Sequence, residues 1–262
     1  MAVAARWPVV TFVIVVLALG GAVFLAGLGR ETTPFALVVA IPLAAIITGY
    51  LEGGRGRVRD LFARISRWRV PPRWYLLALG IPLAGTLAIV AAGVITGQAT
   101  LQDVVGGVSA TAVIVPLVVF LPAIFEEFAW RGFGVQVMLE RGHSFLVAAL
   151  GIGVVFTAIH LPLYLPGHLY DSLPIWPSVL TLLGYAVLLS WIYVGSGGSS
   201  LLSGICHAAL NGLVPFTAGL DEVWVWEARG IVFACVGLAI VALVLGGKLQ
   251  VPGGDRPGRL VA

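Results

Sequence analysis

The sequence predicts an all-α, polytopic integral membrane protein of about eight transmembrane helices, and three observations predict it. Of its 262 residues, 60% are hydrophobic and 10% are charged, whereas a soluble domain carries about a quarter charged residues. Apolar runs of roughly 18–25 residues, long enough to cross the hydrocarbon of a bilayer, recur along the whole chain. The charges collect between those runs. The net charge of +3 therefore reports topology, and no nucleic-acid partner is expected. Cys206 and Cys235 both sit in apolar runs, which leaves neither a disulfide framework nor a cysteine metal motif.

The first run, about Trp7–Leu28, is too long for the core of a signal peptide and reads as a retained helix. The second is about Pro34–Leu51, with Thr32 or Thr33 as N-cap and Pro34 in the first turn, where its missing N–H costs nothing. The third is about Trp74–Thr96 and the fourth about Ser109–Glu140. The fifth is about Ser144–Leu163, the sixth Pro174–Val194, the seventh Ser200–Thr217 and the eighth Ala228–Gly246.

Between spans two and three runs a basic stretch, Gly53 to Arg73, with Arg55, Arg57, Arg59, Arg64, Arg67, Arg69 and Arg73. Val58, Leu61, Phe62, Ile65 and Trp68 recur there at helical spacing, as in an amphipathic helix on anionic lipid. An ordinary positive-inside loop is the plainer reading, and both put the stretch in the cytoplasm. Two spans precede it and six follow, so both termini are expected to be cytoplasmic. Arg6 and a tail with Lys248, Arg256 and Arg259 agree, and the acidic Asp103, Asp171, Asp221 and Glu222 fall on the other side. Gly195 to Ser200 is glycine-rich but has no Walker lysine, so it reads as a tight turn and not a phosphate loop.

Few ionisable groups lie well inside the spans: Glu126, Glu127, Arg131, His160 and His207, joined by the amide of Asn211. Each costs free energy in lipid unless paired or wetted, so each is a functional candidate. Glu127 and Arg131 are four residues apart in the favourable order, and their expected role is mainly a structural pair. Glu126 lies about 100° further round the helix with no local cation, and the chemical role falls to it. Glu126 and His160 are each 17 residues from His143, near the turn between spans four and five. Straight helices would put them at one height, on the order of 25 Å from the turn. Phe156 sits one turn before His160 on its face, and Pro162 loosens the helix after it. His207 and Asn211 share a face of span seven. A lone membrane His or Asn commonly just bonds a neighbouring helix. His143 and His168 lie in connections as ordinary polar residues.

Brought together, these groups suit hydrolysis of an amide bond. A carboxylate beside an imidazole deprotonates water. A second imidazole and an amide donate hydrogen bonds to the oxyanion of the tetrahedral intermediate. The alternative is a zinc ion held by Glu126, His160 and His207, with Asn211 or water outside; no His-Glu-x-x-His motif supports it.

In order on successive spans, Glu126-Glu127-x-x-x-Arg131, Phe156-x-x-x-His160 and His207-x-x-x-Asn211 resemble the three motifs of the CPBP (Abi) family. These are intramembrane proteases typified by the type II CaaX prenyl endopeptidase, with bacterial relatives linked to bacteriocin processing and immunity. The resemblance implies that Glu126 is the general base and that His160 orients the attacking water. It implies an oxyanion site at His207 and Asn211, with Glu127, Arg131 and Phe156 in support. The family is often labelled metalloprotease, with a metal-free, glutamate-dependent mechanism also described. Here the residues favour no cofactor, because a Glu–His pair and a His–Asn pair divide into water activation and oxyanion binding, and zinc is the alternative. The resemblance implies a membrane protein or lipidated peptide as substrate and membrane lipid as surroundings, in a bacterial plasma membrane. Residues 109–220 would be the catalytic core, between three helices with the basic loop (1–108) and a last helix with a basic tail (221–262). A non-catalytic member acting in immunity or as a scaffold is a second reading. A transporter is a third, and the absence of repeat symmetry speaks against it.

Overall fold

In lipid a backbone must satisfy its own polar groups, so apolar runs of this length form helices unless they close a barrel. The computed structural model describes residues 2–30, 32–249 and 251, and its regular structure there is helical throughout. The helices are α1 (Ala2–Arg6), α2 (Pro8–Leu25), α3 (Thr32–Ile65), α4 (Pro72–Ile95), α5 (Leu101–Gly107) and α6 (Thr111–Ala129). There follow α7 (Gln136–Glu140), α8 (Phe145–His160), α9 (Ile175–Gly195), α10 (Ser200–Gly212) and α11 (Glu222–Leu245). A π-helical segment, Trp130–Val135, joins α6 to α7, and 3-10 turns at Leu161–Tyr164 and Val214–Thr217 follow α8 and α10.

Among the described residues, seven stretches are long and apolar enough to cross a membrane: Pro8–Leu25, Thr32–Ile65, Pro72–Ile95, Ala112–Glu140, Phe145–Tyr164, Ile175–Gly195 and Glu222–Leu245. Their outer faces bear it out. Leu76, Leu79, Leu83 and Leu87 line one face of α4 and are all exposed, a surface that suits lipid and not water. The protein is an all-α polytopic membrane protein.

The seventh span expected from the sequence differs. Ser200–Gly212 is a helix of only 13 residues, about 20 Å long. Pro215, with no N–H to donate, turns its continuation into a 3-10 segment. The segment still runs the length of the bundle. At its start, Arg67 donates to the Gly197 carbonyl; at its finish, Gly219 lies against the Asp103 backbone.

One end of the bundle gathers the arginines. Arg57 bonds Glu52 and Glu140, Arg64 donates to Tyr193 at 3.1 Å, and Arg141 donates to the carbonyls of Ala5 and Arg6. At the opposite end Arg30 pairs with Asp171 at 3.2 Å. α9 and α11 run parallel, because Pro177 meets Gly230 and Gly184 meets Gly237. The end of α11 therefore returns to the arginine-rich end, where α1 also lies. Arg256 and Arg259 lie outside the described residues.

The basic stretch is tied to the bundle. α3 kinks at Gly53 and Gly54, where φ of 64° at Gly54 suits only glycine, and continues to Ile65. Leu61 is buried, and Phe62 packs its ring 5.2 Å from that of Phe128. The last helix starts six residues before the expected Ala228, capped by Asp221, whose Oδ1 accepts from the Trp224 N–H at 2.8 Å. That shift draws Arg229 into the membrane domain.

Candidate active site

α6 presents the two glutamates. Directly after them the π-helical segment adds a residue to its turn and widens the helix, a distortion common at functional sites. Gly134 lets neighbours close on it: a β-carbon there would lie 3.0 Å from Ile152 and 3.2 Å from Phe12. Arg131 sits in this segment and its Nη1 donates to Glu127 Oε1 at 2.7 Å. Both side chains are fully buried.

α10 reaches the same carboxylate through a stripe of small residues. Gly204, Ala208 and Gly212 recur every four residues, the spacing that lets two backbones approach. β-carbons on Gly204 and Gly212 would lie 2.7 Å from Ile124 Cα and 3.0 Å from Pro116 Cα, so α10 is pressed along α6. His207, beside the stripe, is thereby carried onto Glu127 and donates from Nδ1 to Oε1 at 3.0 Å. Asn211 follows one turn later.

On α8, His160 donates from Nδ1 to the Phe156 carbonyl at 2.7 Å, since a carbonyl only accepts. A neutral His160 therefore keeps an accepting lone pair on Nε2. Phe156 is the hub. Its ring lies 4.8 Å from that of His160 and 6.1 Å from that of His207, both edge-on, and the Arg131 guanidinium sits 5.2 Å from its centre.

His160, His207, Asn211 and Phe156 share one cavity of about 380 Å³, with Val115 and Val119 of α6. Glu126 is not in its wall. It stands seven residues beyond Val119, within about 20° of the same helix face. Its Oε2 is buried and accepts no hydrogen bond from the described residues.

Two expectations change. No hydrogen bond or ion pair joins Glu126 to His160; the carboxylate–imidazole contact is Glu127 to His207. Glu127 is thus more than a partner for Arg131, because it also fixes the ring of His207. Among the described residues, no three His, Cys, Asp or Glu side chains are grouped to hold a metal ion, so the trio Glu126, His160 and His207 does not converge as zinc ligands would.

The cavity has a second polar wall that sequence reasoning missed: Tyr164, Tyr170, Ser178, Tyr185, Trp226 and Arg229. Arg229 was findable as a charge eight residues into a 24-residue apolar helix, once the helix start is known. The tyrosines carry no such signal.

The model of the family described as type II CAAX prenyl endopeptidase Rce1-like matches residues 107–213. That range contains Glu126, Glu127, Arg131, Phe156, His160, His207 and Asn211, and stops short of Arg229. No curated protein matches the chain.

Proposed function

We propose that this chain, whose residues 107–213 match the family described as type II CAAX prenyl endopeptidase Rce1-like, is an intramembrane endopeptidase that hydrolyses a peptide bond of a membrane-associated substrate with a glutamate-activated water. The observation that carries the reading is the uncommitted carboxylate of Glu126, buried at Oε2 on the helix face that leads into a cavity lined by His160, His207 and Asn211.

Each group has a task. Water bound beside Glu126 gives its proton to the carboxylate, while His160 Nε2 accepts the second hydrogen bond and aims the oxygen. The oxygen adds to the carbonyl carbon. Asn211 and His207 Nε2 donate to the oxyanion. Nδ1 of His207 is already committed to Glu127, so Nε2 donates only when the ring carries both protons. The buried Glu127 carboxylate accepts from that imidazolium, and Arg131 holds the carboxylate in place. The proton on Glu126 then passes to the leaving nitrogen as the C–N bond breaks.

Val115, Val119, Leu182 and Val214 give the cavity apolar walls, which suits a peptide carrying apolar residues or a lipid. The arginine-rich end faces the cytoplasm under the positive-inside rule. The test compares membranes holding the wild-type chain with membranes holding Glu126→Ala at equal expression, with peptide termini mapped by mass spectrometry. Termini present only with wild type support the proposal. Identical termini in both overturn it.

A further inference from the structure

The bend of α3 encloses a second concave site, which shares no wall residue with the cavity of the proposed hydrolysis. α3 spans the membrane, bends at Gly53 and Gly54, and continues as a second arm to Ile65. In the corner lies a groove of about 390 Å³, lined by Ile46, Ile47, Tyr50, Leu51, Arg55 and Val58. Ile46 and Tyr50, like Ile47 and Leu51, are four residues apart and share a face, so the groove follows the spanning arm for about 6 Å. Val58 closes it from the second arm. Val39 and Leu43 continue the face of Ile47 deeper into the membrane and are exposed, so the groove opens onto lipid.

The arginines at this end differ in what they hold. Arg57 pairs with Glu52 at 3.0 Å and with Glu140 at 2.7 Å, Arg64 donates to Tyr193, and Arg67 donates to the Gly197 carbonyl. Arg55 is exposed and makes no hydrogen bond or ion pair with a described residue. Glu52, the carboxylate three residues before it, is taken by Arg57. The Tyr50 hydroxyl is likewise unbonded among the described residues, and Tyr50 is exposed. Tyrosine and arginine at the cytoplasmic end of a span sit at the depth of the lipid headgroups.

We propose that this corner binds one anionic phospholipid, with an acyl chain in the groove over Ile46, Ile47, Leu51 and Val58 and its phosphate on the Arg55 guanidinium and the Tyr50 hydroxyl. Charge complementarity selects the occupant. The guanidinium offers a fork of N–H donors and the phenol one O–H, both suited to phosphate oxygens. The groove wall carries no carboxylate among the described residues to receive the ammonium of a zwitterionic headgroup. Its volume falls within the range of ligand sites. The apolar face of the second arm is not open to lipid in the same way, because Leu61 is buried and Phe62 packs against Phe128. On the inner side of the corner the arms pack closely: a β-carbon on Gly49 would lie 3.3 Å from Leu61 and 3.6 Å from Phe133 of the π-helical segment. A lipid that touches both arms therefore binds the folded corner and not the unfolded chain, and raises the melting temperature by mass action.

The test uses the purified full-length protein in neutral detergent with palmitoyl-oleoyl phosphatidylglycerol or phosphatidylcholine added. Native mass spectrometry reads bound lipid, and thermal unfolding reads stabilisation. Wild type retains one phosphatidylglycerol with an affinity at least about tenfold above that for phosphatidylcholine, the effect of one charge-assisted hydrogen bond. Its melting temperature rises by about 4 °C or more at saturating phosphatidylglycerol. Arg55→Gln brings the two affinities together. Arg59→Gln removes the same charge one turn on, from an exposed residue outside the groove wall, and keeps the preference within about threefold of wild type. Equal affinity of wild type for the two lipids overturns the site, and this comparison needs no variant to fold. Equal loss in Arg55→Gln and Arg59→Gln also overturns it and assigns binding to the diffuse charge of this end. Inorganic phosphate that produces the same rise in melting temperature overturns the acyl-chain assignment. Neither readout involves cleavage, so failure here leaves the proposed hydrolysis standing.

Discussion

Replacing Glu127 with alanine removes the acceptor that Arg131 and His207 share, and leaves a fully buried guanidinium facing Phe156 with no bonded partner. Breaking a buried ion pair from one side costs about 3–5 kcal/mol, because the remaining charge stays desolvated. That is a large part of a typical stability of about 5–15 kcal/mol. For a chain of this size it lowers the melting temperature by roughly 10 °C. Adding Arg131→Met to Glu127→Ala removes the orphan cation while keeping an apolar stem, and at least half of the loss returns. Glu126→Ala, whose Oε2 has no partner to abandon, stays within about 1 kcal/mol of wild type. Thermal unfolding in detergent reads all three with a thiol-reactive dye in a Cys235→Ser background. Cys206 is fully buried and reacts only on unfolding, whereas Cys235 is exposed and is removed. If Glu126→Ala melts as low as Glu127→Ala, or the double variant no higher than the single, the two glutamates do not divide their work as the geometry indicates.

Further outcomes follow from other parts of the structure. Glu126→Gln and His160→Ala each lower turnover of a mapped substrate by about 10²-fold or more with the melting temperature near wild type, measured as initial rates on the purified proteins. Gly204→Leu forces α10 away from Ile124 and loses both activity and melting temperature, while Gly21→Ala, with open space around its β-carbon, changes neither. At the opposite end from the arginines, Thr100 donates to Asp103 from both its hydroxyl and its backbone N–H, which holds the Asp103 carboxyl below its ordinary value of 3.8. Its stabilisation of α5 is therefore complete above that value and is lost as pH falls through the depressed one. Thr100→Ala moves the Asp103 titration upward, as carbon-13 NMR of labelled aspartate reads directly.

The membrane helices were legible in the sequence because length and hydropathy answer directly to bilayer thickness. The Glu127–Arg131 pair was legible because four-residue spacing on one helix is local geometry. The partner of His207 was not, because it depends on which face of α10 meets α6. The small stripe Gly204, Ala208, Gly212 names that face, yet says nothing about which helix it meets until Ile124 and Pro116 are seen against it. Arg229 was lost for another reason. An apolar run counted from Ala228 leaves a charge at its edge, whereas the Asp221 cap starts the helix two turns earlier and buries it.

Why two adjacent acids are needed follows from what one carboxylate can do. Oε1 of Glu127 accepts from a guanidinium and from an imidazole, so that oxygen is already engaged in holding two side chains. It orients His207 well and would serve poorly as the base for water. A base must keep a lone pair uncommitted until substrate arrives, and such a group cannot also be the anchor of the helix packing. Consecutive positions on a helix differ by about 100°, so one residue turns inward to the Arg131–His207 contact while the next turns to the face that holds Val115 and Val119. Moving the acid by one position therefore exchanges the roles and satisfies neither. In the swapped pair Glu126→Gln with Glu127 intact, the protein keeps its fold and loses its base. In Glu127→Gln with Glu126 intact, it keeps its base and loses the counter-charge that lets His207 donate to the oxyanion.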